Sequence, residues 1–273
     1  MALPAPAPDR TALVTGASSG IGAEIARQLA RRGHGVTLVA RTEAKLAALA
    51  AELAGEGVRA EVIVADLGDR AARAALPEQV AERGLEVDVL VNNAGWSTLG
   101  AVAASDPTDE MAMVELDVVA VVDLCSRFVG PMVQRGRGAV LNVASTAAFQ
   151  PLPGQAGYGA SKVFVLSYTQ SLAAELKGTG VTATTLCPGP VETGFGERAG
   201  FSDEEAKKAL PPPMWVSAPD VARAAVDGLA KGRLVVIPGA ANKVAAALSQ
   251  VAPRTLLLPV LAKGHPGLRR EAR

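Results

Sequence analysis

Short runs that are apolar on both faces alternate along this chain with longer stretches of helical periodicity. No other feature limits its fold so tightly. Val87-Asp-Val-Leu-Val91 is typical of the runs. A strand apolar on each side has to be covered on each side, as in a parallel sheet held between layers of helices. The pattern predicts strands over 11–15, 35–40, 59–65, 87–92, 138–144, 180–186 and 233–237. It predicts helices over 21–32, 42–55, 69–83, 106–134, 157–177, 218–231 and 241–250. The fold class that follows is α/β, a doubly wound parallel sheet with helices on both faces. A length of 273 residues suits one such domain, and no repeat or linker divides it. We read residues 1–9 as a disordered leader, 10–239 as one catalytic domain and 240–273 as a C-terminal helical arm of that domain. A break in composition over 195–217, ending Leu210-Pro-Pro-Pro-Met-Trp215, predicts a substrate lid.

The first run, Thr11–Thr15, leads into Gly16-Ala-Ser-Ser-Gly20-Ile-Gly22, and an amphipathic stretch follows from Ala23 to Arg32. A strand, a glycine turn and a helix in this order form the setting that holds a dinucleotide. Gly16 permits the tight turn, Gly20 lets the backbone approach a pyrophosphate, and Gly22 lets helix and strand pack closely. Ser18, Ser19 and Ile21 complete the turn, where unpaired N–H groups of the helix N-terminus face an anion. A glycine loop alone is more often structural; the flanking strand and helix assign this one to a cofactor.

Farther along stand Asn142-Val-Ala-Ser145 and Tyr158-Gly-Ala-Ser-Lys162. Residues four apart share one helix face, so a phenol lies beside an ammonium. The hydroxyl of Ser145 arrives from the preceding strand. The cation is expected to favour the phenolate and lower the tyrosine pKa from about 10. Such a group exchanges a proton with a carbonyl or alcohol oxygen near neutral pH. A tyrosine and lysine at this spacing are common by chance, but the chain has only two tyrosines and carries the glycine turn upstream.

Four blocks in order, Thr15-Gly-Ala-Ser-Ser-Gly-Ile-Gly22, Asn92-Asn-Ala-Gly95, Ser145 with Tyr158-x-x-x-Lys162, and Pro188-Gly-Pro-Val-Glu-Thr193, resemble the short-chain dehydrogenase/reductase family. The resemblance covers residues 10 to 195. It implies one Rossmann-like domain of seven or so strands, a nicotinamide cofactor, and hydride transfer between that cofactor and a carbonyl or alcohol. By resemblance, Ser145 and Tyr158 hold the reacting oxygen, and Lys162, with Tyr158, adjoins the nicotinamide ribose. Asn93, Ala94 and Gly95 line the adenosine ribose, while Asp66 and Leu67 resemble the adenine contacts. Pro188, Gly189 and Val191 back the nicotinamide ring, and Thr193 holds its carboxamide or the phosphates. The sequence departs from the family at one place. Many members carry an Asn in the long fourth helix, where it helps hold a water leading to the lysine. Asp117 aligns there. It lacks an amide donor, and as an anion it would raise the lysine pKa. Its catalytic part is therefore in doubt, while the Ser–Tyr–Lys set is not.

The second strand ends Val39-Ala40-Arg41, without the acid that usually holds the ribose hydroxyls of NAD. Arg41 suits a 2′-phosphate through charge-assisted bonds, and Thr42 can add a hydroxyl. NADP, as NADPH, is the expected cofactor and NAD the lesser one.

With 27 basic and 27 acidic residues, nothing suggests a nucleic-acid partner. Cys125 and Cys187 lie far apart in apolar segments and read as free thiols, and only two histidines exist, so no metal site is expected. No stretch is long enough to span a bilayer, and 1–9 lacks the basic start and apolar core of a signal peptide. A cytoplasmic location is expected. By analogy with the family, the walls of the substrate pocket come from 146–155 and 190–217; these offer Phe149, Leu152, Phe195, Phe201, Met214 and Trp215, which favour an apolar small-molecule carbonyl or alcohol. Long apolar stretches in 106–134 and 157–177 predict a homodimer or homotetramer. Two other readings are a cofactor-binding regulator without turnover and an epimerase or dehydratase using the same tyrosine and lysine. The intact Ser–Tyr–Lys set argues against the first; Arg41 and the short C-terminal part argue against the second.

Overall fold

The computed structural model describes residues 2–193, 210–264 and 266–269, and the structural statements below concern those residues. Strands β1 (Arg10–Thr15), β2 (Gly35–Ala40), β3 (Ala60–Val64), β4 (Glu86–Asn92), β5 (Gly138–Val143), β6 (Val181–Leu186) and β7 (Val235–Val236) form one sheet. All pairs are parallel, in the order β3-β2-β1-β4-β5-β6-β7. Strand order therefore reverses between β1 and β4. That is the point where a doubly wound sheet opens a crevice at its carboxyl edge. The glycine turn follows β1 and Asn93–Gly95 follows β4, so the fold brings both to the crevice.

Side chains alternate along each strand between two cores. On one side Ala12 and Val14 of β1 pack with α1 (Gly20–Ala30), α2 (Glu43–Gly55) and α7 (Ala218–Ala230). On the other, Leu13 packs with α3 (Arg70–Ala81), α5 (Ala120–Gln134) and α6 (Ala156–Glu175). The doubly wound arrangement read from the sequence is present, with every predicted strand in place and β7 reduced to two residues.

Two readings need refinement. The helix predicted over 106–134 runs unbroken but is not uniform: α4 (Pro107–Val114) passes through a π turn (Glu115–Val119) into α5. A π turn adds one residue to the backbone ring and re-aims its side chains, and here it carries the buried Asp117. The leader is not detached. Ala2 donates its N–H to the Ala230 carbonyl at 3.3 Å and accepts from Thr182 Oγ1 at 3.2 Å, and Leu3 packs on the core. Proline-rich backbone has few donors of its own, so the ends of α7 and β6 supply its partners. Helix α9 (Arg254–Gly264) runs through Pro259, which faces solvent, where the carbonyl it leaves unbonded can meet water. It follows α8 (Ala240–Val251) and precedes a last short turn, α10 (Pro266–Arg269).

Of the expected lid, 195–209, with Phe195 and Phe201, lies outside the described residues. Residues 210–217 return to the crevice through a 3₁₀ turn (Pro212–Met214), and Val216 N–H bonds the Pro190 carbonyl at 3.2 Å.

Candidate active site

The glycine turn takes a shape that side chains would prevent. Gly16 and Gly20 have φ of 65° and 57°, a left-handed backbone that favours glycine. A Cβ on Gly16 would meet Asn93 Nδ2 at 2.7 Å, and one on Gly20 would meet Thr193 Cβ at 2.9 Å. A Cβ on Gly22 would run into the Gly16 carbonyl. Ser19 stands at the N-cap of α1 without a side-chain cap, so the first N–H groups of that helix stay open to an anion. Ser18 is partly exposed beside it, and Ile21 packs its side chain inward. Asn93 fixes the turn from β4: its Nδ2 donates to the Thr15 carbonyl at 2.9 Å, and its N–H donates to Thr15 Oγ1 at 2.9 Å. Ala94 N–H reaches the same hydroxyl at 3.1 Å.

Arg41 is exposed at the end of β2, beside the open edge of this cradle, and Thr42 is the exposed N-cap of α2, with no side-chain cap bond. No acid competes at that strand end. Asp66 folds back on its own turn, accepting from Gly68 N–H at 2.9 Å, while Leu67 is buried. The cap of α3 is Asp69, not Asp66. These residues fit a phosphate-bearing dinucleotide: an uncapped helix N-terminus, a turn that excludes side chains, and an exposed guanidinium where an acid would otherwise stand.

Ser145, Tyr158 and Lys162 meet at the crevice. Ser145 stands two residues past β5 in extended conformation, capping the 3₁₀ turn Thr146–Phe149; its Oγ accepts from Ala147 N–H at 3.1 Å and hydrogen-bonds the Tyr158 phenol. Lys162 Nζ lies 5.4 Å from the Tyr158 ring centre. Pro188, Gly189 and Val191 run past this cluster; the Pro188 carbonyl is held by Thr146 N–H at 2.9 Å and Val191 packs inward. Asp117 sits behind, brought in by the π turn. Its Oδ2 is 2.9 Å from Lys162 Nζ, and its Oδ1 accepts from Trp96 N–H at 3.0 Å. Gly95 makes room for the pair: a Cβ there would meet Asp117 Oδ1 at 2.8 Å and Lys162 Nζ at 3.3 Å.

This pairing changes the electrostatics expected from the sequence. Burial pulls the Lys162 ammonium down, but Asp117 and Tyr158 more than offset it, and the lysine lies above its ordinary value. Burial pushes the Asp117 carboxyl up against the pull of that lysine. Burial also pushes the Tyr158 phenol up; Lys162 pulls it down, and Asp117 pushes it up again. The expected lowering of the Tyr158 pKa is thus overturned. The lysine charge is spent on a nearby carboxylate, and little water is left to solvate a phenolate. Cys187, buried next to this cluster, is pushed up to about 12 and stays a thiol.

Two positioning residues escaped the sequence reading. Arg73, 1 % exposed, donates to the Leu67 carbonyl at 2.7 Å and pairs with Glu115 at 2.6 Å and Asp123 at 2.9 Å. It ties the Asp66–Leu67 turn to the π turn that bears Asp117. Asn242 on α8 is fully buried; its Nδ2 donates to the carbonyls of Met214 and Pro238 at 2.9 and 3.0 Å. A Cβ on Gly189 would strike it. Asn242 so joins the end of the lid segment to the loop behind the cluster. Neither residue has a sequence signal, because each acts through partners far along the chain.

Comparison with known proteins agrees with the fold. The sequence matches the short chain dehydrogenase family over residues 10–202. Over 193 residues it is 42 % identical to a protein named provisionally as a ketoacyl reductase of the monensin polyketide synthase of Streptomyces virginiae, covering 69 % of this chain and 73 % of that one. A short-chain dehydrogenase from Sphingobium yanoikuyae, solved in complex with NADPH, superposes with a TM-score of 0.79 at 34 % identity, over 92 % of this chain and 95 % of that one. A single-substitution variant of the actinorhodin polyketide ketoreductase, solved with NADPH, gives 0.75 at 34 % identity, over 84 % and 95 %.

Proposed function

This chain belongs to the short-chain dehydrogenase/reductase family of oxidoreductases, and on that premise we propose that it is an NADP(H)-dependent reductase of an apolar ketone or aldehyde, able to run the reverse oxidation of a secondary alcohol. One observation carries the reading. A hydroxyl, a phenol and an ammonium converge beside a phosphate cradle whose neighbouring strand ends in Arg41 rather than an acid. The NADPH complexes among its structural relatives support the cofactor, and the ketoreductases support the carbonyl.

When bound, the nicotinamide supplies the hydride. The chain's residues do the rest. The glycine turn and the N-terminus of α1 hold the phosphates; Arg41 and Thr42 engage the 2′-phosphate. Asp66, Leu67 and Asn93–Gly95 shape the adenosine side. Ser145 donates a hydrogen bond to the reacting oxygen as negative charge develops on it. Tyr158 then gives its proton to that oxygen as general acid. Its raised pKa suits this direction, since the phenol is protonated throughout the neutral range. Lys162 orients the phenol and the ribose, and Asp117 keeps Lys162 charged and in place. In oxidation the same phenol has to start as phenolate, which the Asp117 charge opposes.

The test is a steady-state assay of NADPH consumption over a panel of ketones and aldehydes graded in size and polarity. Turnover of apolar carbonyls, with NADPH preferred to NADH, is the expected outcome. Tight NADPH binding without turnover of any carbonyl would favour a cofactor-binding regulator. We also infer a homodimer or homotetramer through α5 and α6. Val133 on α5 and Val163 and Phe164 on α6 are 37–46 % exposed, and Phe164 stacks on Tyr168 at 5.8 Å. A monomeric mass by light scattering at micromolar concentration would reject that.

A further inference from the structure

The outward side of the segment that runs from the end of α7 through β7, α8 and α9 forms a face set apart by its charge. Between Asp227 and Glu271 the sequence has no acidic residue, while Lys or Arg stands at 231, 233, 243, 254, 263, 269 and 270. The chain as a whole balances 27 basic against 27 acidic residues, so this stretch is formally +7 and the remainder −7. Asp227, at its border, is paired with Arg32 at 2.5 Å.

Large apolar side chains share the face. On α8, Val244, Leu248 and Val251 are 59 %, 62 % and 79 % exposed; on α9, Leu256 and Val260 are both 69 % exposed. Spacings of three and four keep each set on one side of its helix, while α8 turns Asn242, Ala246 and Ser249 inward. Beside the α8 stripe lies a cleft of about 210 Å³ whose walls include Lys231, Arg233 and Lys243, all exposed, with Asp227 the acid on its edge.

We propose that this face docks on an anionic lipid surface. The two apolar stripes enter the boundary between headgroups and acyl chains. Lys231, Arg233, Lys243 and Arg254 engage the headgroups. An apolar stripe set among cations is the composition of a helix that lies in the membrane interface. A span needs about 20 residues, and α9 has 11, so these helices lie on the bilayer rather than cross it. A second copy of the chain is a poorer occupant. In a two-fold dimer a patch meets itself, so this one would set cations against cations, with Asp227, already paired with Arg32, the one acid at its border. A single-stranded nucleic acid is poorer too, since residues 228–270 contain no aromatic ring of Phe, Tyr or Trp on which a base could stack.

The experiment is flotation of the purified chain with vesicles of phosphatidylcholine, alone or with about 30 mol % phosphatidylglycerol. Binding to the anionic vesicles should be stronger by roughly tenfold or more, and should fade toward the neutral level at about 0.5 M salt. Leu256→Glu with Val260→Glu should abolish flotation. Both positions are exposed, so the thermal midpoint should not move, and that midpoint shows the variant is folded. Lys231→Glu with Lys243→Glu should remove the preference for anionic lipid. Equal binding to both vesicle types overturns the proposal, as does anionic binding that survives both double variants. A larger mass by light scattering that Leu256→Glu with Val260→Glu reduces, with no lipid present, also overturns it and assigns the face to a second copy.

Discussion

Each end of the sheet buries an aspartate, and the two ends use it differently. At the amino edge Asp88, 2 % exposed, lies among Arg10, Arg135 and Arg137 at 3.4, 3.8 and 3.0 Å. At the carboxyl edge Asp117, 1 % exposed, meets one cation, Lys162, at 2.9 Å. The arginines come from β1 and from the turn between α5 and β5, and each still reaches water. Asp88 is thus a staple, and the arginines it gathers also meet Asp9 and Glu86 at the rim, where water screens the remaining field. Asp117 and Lys162 cancel one to one where water is scarce, and their balance acts on the phenol beside them. The same ion-pair chemistry gathers strands at one edge and sets a proton at the other. What differs is the amount of water at each edge and the neighbour that feels the field: Asp88 acts on the buried His34, Asp117 on the candidate reacting phenol.

The contrast can be broken from either edge. The largest effect should come from Tyr158→Phe, which keeps the ring and removes the acid. Turnover should fall by about 10²–10⁴-fold with NADPH affinity retained; near-normal turnover on a true substrate would mean another group supplies the proton. At the other edge, Asp88→Ala removes the one carboxylate that reaches all three arginines and leaves Arg135 and Arg137 with only the half-exposed Glu86. Chemical denaturation should show a loss of about 3 kcal/mol, the low end for a broken buried pair, because the arginines can turn to water. The NADPH Kd should not move; a shifted Kd would deny that the two edges are separate.

A smaller effect is due at the cofactor's phosphate. Arg41→Ala should weaken NADPH by roughly tenfold or more, the worth of a charge-assisted contact, and leave NADH unchanged. Equal loss for both would place Arg41 elsewhere. Asp117→Asn should sharpen the comparison most finely. Asp117 raises the phenol pKa, so its neutral isostere should move the alkaline limb of the reduction profile to lower pH and improve oxidation near neutrality. Reduction uses the protonated phenol and is lost as pH rises through that pKa, so the sign follows from the direction of the shift. A limb that moves upward instead would show that Lys162 sheds its proton once the carboxylate is gone.

Much of this is legible in the sequence. The strand and helix order follows from apolar periodicity, and the glycine turn and the Tyr158–Lys162 face follow from neighbours within a few residues. The departure at Asp117 is visible too, and its effect on the lysine has the expected direction. The π turn is not legible, because its sequence, Glu115-Leu-Asp-Val-Val119, reads as ordinary helix. Nor is the direction of the Tyr158 shift, which depends on how much water packing removes and on a carboxylate 41 residues away in sequence. Arg73 and Asn242 likewise look like one more surface arginine and one more polar helix residue until their partners at 67, 115, 123, 214 and 238 are in place.

The sequence by itself determined the elements, the cradle and the identity of the candidate reacting side chains, since those rest on local backbone preference and on spacing along one helix or turn. Only the tertiary structure decided the charge state of the cluster and which residues support it. Burial and long-range pairing are sums over groups that folding brings together, and no stretch of chain short enough to read contains all of them.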